Sequence, residues 1–101
     1  LKHHAAEAEL FRRRALVVDD NPTSLAALLA QLAGWGMRAQ GASSAGEALR
    51  TLRAMHDEGL PPRLALIDMQ MPDVDGLTLA EAIRRSPRFR DISLVRLTPL
   101  G

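Results

Sequence analysis

Two short runs of uninterrupted apolar residues, Ala15-Leu16-Val17-Val18 and Leu64-Ala65-Leu66-Ile67, constrain this chain more than anything else in it. A strand with one face in water alternates apolar and polar residues. A run with no polar member suits a strand buried on both faces, as in a parallel sheet covered on each side by helices. Each run stops at a carboxylate: Asp19-Asp20 follows the first and Asp68 the second. A later run, Ile92 to Leu97, is interrupted by Arg96 and stops at Thr98-Pro99.

Helical signals fill the intervals. Asn21 followed by Pro22 is a cap with proline at the first helical position, and Leu25, Leu28, Leu29 and Leu32 give the helix an apolar stripe that ends at Gly34-Trp35-Gly36. Met37 to Gly41 reads as a weak strand. Ser44-Ala45-Gly46-Glu47 matches a capping box, and Ala45, Ala48, Leu49, Leu52 and Met55 mark the buried face of the helix it opens. Gly59 and Pro61-Pro62 terminate it. After the turn Met71 to Gly76, a third helix rests on Leu77, Leu79, Ala80 and Ile83 and closes at Ser86-Pro87. Strands alternating with helices across short connections imply an α/β fold, a doubly wound parallel sheet with right-handed crossovers.

Composition narrows the function. The sequence has 101 residues, enough for one small domain, and its thirteen bases against twelve acids leave a net charge of +1. Near-neutrality gives no reason to expect nucleic acid as a partner, and the cluster Arg84, Arg85, Arg88 and Arg90 at a helix end reads as a solvated face. Without cysteine there is no disulfide, thiolate metal site or cysteine nucleophile. No apolar run approaches the roughly 18 residues of a membrane span, so no membrane contact and a cytoplasmic location are expected. Residues 1–14 read as a linker or helical lead-in, and His3-His4, pointing in different directions on any regular element, make a poor metal site.

In an open parallel sheet, ligands bind at the carboxyl ends of the strands. Asp19, Asp20, Asp68 and Thr98 all stand there and converge on one crevice. Two carboxylates about 5 Å apart repel by roughly 3 kcal/mol at an effective dielectric near 20, so three of them need a cation or must stay protonated. Oxygen donors alone select a hard cation, Mg²⁺ before Mn²⁺ or Ca²⁺. Because Mg²⁺ favours one or two carboxylates plus a phosphate oxygen, a phosphate ligand follows. A calcium loop over Asp73-Val74-Asp75-Gly76 fails, because its closing glutamate would fall on Ala82.

Asp19-Asp20 after Leu-Val-Val, the segment Leu66-Ile67-Asp68-Met69-Gln70-Met71-Pro72-Asp73-Val74-Asp75-Gly76, and Leu97-Thr98 together resemble the receiver domain of two-component response regulators. The resemblance runs from Ala15 to Gly101. Asp-Asp-Asn-Pro, Trp35-Gly36-Met37 and Leu-Thr-Pro-Leu-Gly are particularly similar to receivers at the C-terminal side of hybrid sensor histidine kinases. The resemblance implies a flavodoxin-like sheet in the order 2-1-3-4. It makes Asp68 the acceptor of a phosphoryl group from a histidine kinase or histidine phosphotransfer domain. Mg²⁺ would sit on Asp19, Asp20, Asp68 and the backbone carbonyl of Gln70, and Thr98 would contact the phosphoryl group and act as the switch.

Receivers usually add a fifth strand with a lysine and a final helix. Here the single lysine is Lys2 and nothing follows Gly101, so residues 15–101 read as a receiver incomplete at its C-terminus. Without a fifth strand, the open edge of the fourth invites strand addition or swapping into a dimer. Pro99 replaces the small residue usual after the threonine and removes a backbone N–H. That supports an alternative in which the domain exchanges no phosphate and serves as a docking or regulatory module of its own kinase.

Overall fold

A computed structural model describes residues 13–71 and 76–97 of the chain. The expectations placed on residues 1–12, on Pro72 to Asp75 and on Thr98 to Gly101 lie outside the described residues. The elements are β1 (Arg14–Val18), α1 (Pro22–Gly34), β2 (Arg38–Ala42), α2 (Ala45–Asp57), β3 (Leu64–Asp68), α3 (Gly76–Arg85), a 3-10 turn at Pro87–Phe89, and β4 (Ser93–Leu97). The strands pair in parallel in the order β2-β1-β3-β4, the doubly wound arrangement expected. β1 takes in Arg14, which pairs with Arg38, so the sheet begins one residue before the apolar run.

Period-2 alternation divides the core between the two faces. Leu16, Val18, Ala65 and Ile67 point to the side packed by α2 and α3, with Ala48, Leu52, Leu79, Ile83 and Phe89. Ala15 and Val17 point to the other side, where Leu25, Leu28, Leu29 and Leu32 of α1 meet them. β1 is therefore buried on both faces. β3 is not: Leu64 and Leu66 remain half-buried on the α1 side, because α1 packs mainly against β1 and β2. Along β4 no residue is fully buried, and among the described residues the strand pairs only with β3.

Local chemistry sets the helix ends. Asn21 Oδ1 accepts from the backbone N–H groups of Thr23 and Ser24 at 2.9 and 3.1 Å, with Pro22 beginning α1. Past its end the chain turns through Gly36 at φ +84, a left-handed conformation suited to glycine. At the start of α2, the N–H of Glu47 donates to Ser44 Oγ at 3.1 Å, half of the expected capping box. The other half differs. Glu47 Oε2 accepts from the N–H and the hydroxyl of Ser43, one residue further back, at 3.2 and 2.9 Å.

Two further expectations are corrected. The buried stripe of α3 is Gly76, Leu79, Ala80 and Ile83, at the i, i+3, i+4, i+7 spacing of one helix face, and Leu77 falls off it and is exposed. The basic cluster is not uniformly solvated. Arg84 Nη1 donates to the carbonyls of Arg90 and Ile92 at 3.3 and 2.9 Å and ties the segment between the 3-10 turn and β4 to α3.

Candidate functional site

β1 and β3 are neighbours, with Val18 beside Ile67, so the residues that follow each strand emerge side by side at one end of the sheet. Asp19 is the one buried charged or polar side chain among the described residues, at 7% exposure, whereas Asp20 is exposed and Asp68 lies between the two. One carboxylate oxygen from each of the three can be chosen so that all lie within 4.8 Å of one another.

The backbone holds these groups by the same device twice. The N–H of Asn21 donates to Asp19 Oδ1 at 2.9 Å, and the N–H of Gln70 donates to Asp68 Oδ1 at 2.9 Å. Each aspartate thus closes a turn onto its own chain two residues on, which fixes its direction. The sheet ladder also runs one residue past the strands, with Asp19 N–H on the Ala42 carbonyl at 3.0 Å and Met69 N–H on the Leu97 carbonyl at 3.1 Å. Gly76 presses on the same place. A Cβ there would overlap the carbonyl oxygen of Asp68 and lie 2.7 Å from Met69 Cα. Only glycine lets the start of α3 approach Asp68 so closely.

Asp19, Asp20, Asp68 and Gln70 line one open depression of about 580 Å³, together with Asn21, Ser24, Ala27, Leu28 and Leu97. Four of the expected site residues are therefore brought together. Thr98 lies outside the described residues, next to Leu97, which pairs with Asp68 across β3 and β4. Ser24, Ala27 and Leu28 were not anticipated. They follow Asn21 at three- and four-residue steps, so one face of α1 forms a wall of the depression, a spacing present in the sequence but hidden beneath the leucine stripe.

The donor set fits a hard divalent cation. Oxygens on opposite sides of Mg²⁺ lie about 4.2 Å apart, twice the metal–oxygen distance, and the 4.8 Å spread needs only a small side-chain adjustment. No lysine or arginine lines the depression among the described residues, so its three carboxylates face one another without a cationic side chain.

The sequence profile of the response regulator receiver domain matches residues 15–99. The chain belongs to that family. It is 32% identical over 90 residues to the DNA-binding dual master transcriptional regulator RpaA of Synechocystis sp., covering 87% of this chain but only 34% of that protein. Among solved structures it is similar to the N-terminal domain of a response regulator receiver protein from Methanoculleus marisnigri, with a TM-score of 0.77 and 37% identity over 87% of this chain and 69% of that one. It is also similar to the response regulator TrrA from Thermotoga maritima in complex with Mg²⁺-BeF, with a TM-score of 0.73 and 29% identity over 88% and 71% of the two chains. Receiver domains act in two-component signalling, bind Mg²⁺ at an acidic pocket, and interact with histidine kinases or phosphotransfer domains. No helix among the described residues of this receiver is long and apolar enough to cross a membrane.

Proposed function

We propose that this receiver accepts a phosphoryl group on Asp68 from the phosphohistidine of a histidine kinase or histidine phosphotransfer domain, in a Mg²⁺-dependent reaction relayed through Thr98. In this reading residues 15–101 form the receiver, residues 1–14 lead into it, and the domain works in the cytoplasm. The observation that carries the proposal is the triple carboxylate cluster, in which Asp68 Oδ1 is held by the Gln70 N–H. That hydrogen bond leaves Asp68 Oδ2 as the attacking oxygen. The new bond forms between Oδ2 and phosphorus, the phosphorus–nitrogen bond of the donor breaks, and its electron pair stays with the departing imidazole.

Asp19, Asp20, Asp68 and the carbonyl of Gln70 would hold the cation, whose chemistry is to neutralise the equatorial oxygens of the transferring group. Burial of Asp19 and its bond from Asn21 keep that carboxylate oriented before any ligand arrives. Thr98 follows directly on Leu97, the residue in register with Asp68, and would donate its hydroxyl to a phosphoryl oxygen. Such a charge-assisted bond is worth roughly 1.5 to 3 kcal/mol, enough to bias a two-state segment.

The test is incubation with acetyl phosphate and Mg²⁺ followed by intact-mass measurement. One added phosphoryl group, lost with Asp68→Asn and absent when the metal is chelated, is the expected result. Labelling that survives Asp68→Asn would refute the assignment. Pro99, the residue after Thr98, has no backbone N–H to donate, which favours a second reading as a docking module of a hybrid kinase. That reading predicts no label and a kinase output unchanged by Asp68→Asn.

A further inference from the structure

We infer that the groove between α2 and the end of α3 is a docking site for an acidic segment of a partner protein, which places one apolar side chain between two arginines. The groove encloses about 210 Å³ and is lined by Leu49, Arg53, Ala82, Ser86, Arg88 and Phe89. Its apolar part is Phe89, buried, with Leu49 half-buried against the same core. Its charged part is Arg53 and Arg88, both exposed.

These two arginines differ from Arg84 in having no work inside the fold. Arg84 spends its guanidinium on two backbone carbonyls, whereas Arg53 and Arg88 make no hydrogen bond or ion pair among the described residues. Ser86, at the cap of the 3-10 turn, makes no side-chain capping bond, so its hydroxyl is also uncommitted. No carboxylate lines the groove.

Size and charge choose the occupant. At about 210 Å³ the groove lies below the roughly 300–1,000 Å³ of sites that enclose whole small molecules, and it accepts a group the size of one side chain. A guanidinium pair recognises carboxylates through paired, charge-assisted hydrogen bonds, and the aromatic and leucine surface between them accepts an aliphatic anchor. A peptide with a leucine flanked by glutamates presents both features at once.

The site is separate from the carboxylates. Strands β3 and β4 run parallel with α3 returning between them, so the end of α3 lies at the opposite end of the sheet from Asp68. The two depressions share no lining residue. A partner held in the groove leaves Asp68 open to a phosphoryl donor, and the inference stands whether or not Asp68 is phosphorylated.

The probe is the peptide Ac-Glu-Glu-Leu-Glu-Glu-NH2, titrated into the ¹⁵N-labelled 101-residue chain and followed by amide shifts. Shifts should concentrate at Arg53, Ser86 and Phe89, weaken with added salt, and be absent with the glutamine analogue of the peptide. Arg53→Gln with Arg88→Gln should lower affinity about tenfold or more, as loss of charge-assisted bonds implies. Both side chains are exposed, so the variant's free spectrum checks that the fold is kept. No shifts at millimolar peptide, equal shifts with the glutamine analogue, or shifts mapping to Asp19 and Asp68 would each overturn the inference. So would tighter binding at the same amides by single-stranded DNA or inorganic phosphate.

Discussion

Replacing Gly76 by alanine tests whether the close approach of α3 to Asp68 is required. Where the backbone tolerates it, Gly→Ala stabilises a protein by about 0.4–1 kcal/mol, because the unfolded chain loses freedom. At Gly76 the new Cβ would overlap the Asp68 carbonyl and sit 2.7 Å from Met69 Cα and 2.8 Å from Met69 Sδ. Two of those three atoms are backbone and belong to the turn that orients Asp68, so α3 or the turn must move. Overpacking of this kind costs roughly 1–3 kcal/mol, and the backbone partners put this case at the upper end. The net expectation is a loss of about 2 kcal/mol, or roughly 8–16 °C in Tm for a domain of this size. Gly34→Ala is the internal control: nothing lies within 4 Å of its Cβ, so it should gain about 0.4–1 kcal/mol. Urea unfolding monitored through Trp35 reads both, and Mg²⁺ titration of Gly76→Ala should show weakened affinity. A Gly76→Ala protein as stable as Gly34→Ala would refute the steric argument.

Asn21→Ala removes the acceptor for two N–H groups at the start of α1 and should cost about 1 kcal/mol in urea unfolding; a change within a few tenths would mean that solvent replaces the cap. Glu47 supplies a pH dependence. Hydrogen bonds from the Ser43 hydroxyl and then the Ser43 amide hold its carboxyl below the usual carboxylate range. The folded group therefore titrates lower than the unfolded one, near 4.3, so its contribution is complete above that value and is lost as pH falls through the folded value. Comparing urea midpoints of the parent and Glu47→Gln between about pH 6 and about pH 3 should show the difference shrinking toward acid, and a constant offset would exclude the mechanism.

The strands and the carboxylate cluster could be read from the sequence because both are local patterns. An uninterrupted apolar run has few alternatives to a covered strand, and a carboxylate at the end of such a run inherits its position from the sheet. Gly76 was legible only as a loop residue, because its contact with Asp68 joins segments that the sequence separates. Hydrophobicity alone puts Leu77 on the buried stripe, but the face set by Leu79, Ala80 and Ile83 excludes it. The half-covered side of β3 could not be foreseen, since it depends on where α1 lies across the sheet rather than on the composition of β3. In the sequence Arg84 is one of four similar arginines, and only the folded chain past the 3-10 turn brings the Arg90 and Ile92 carbonyls to it.

The uneven burial of the sheet also predicts how it opens. Amides of β1, covered on both faces and paired on both sides, should exchange with solvent only through global unfolding. Amides of β4, with no fully buried residue and one partner strand among the described residues, should exchange through smaller local openings. The depression at Asp68 is bounded by both kinds of strand: Asp19 directly follows β1 and Leu97 ends β4. A group bound between them is held from a fixed side and can draw in the other at the smallest opening free energy the sheet offers.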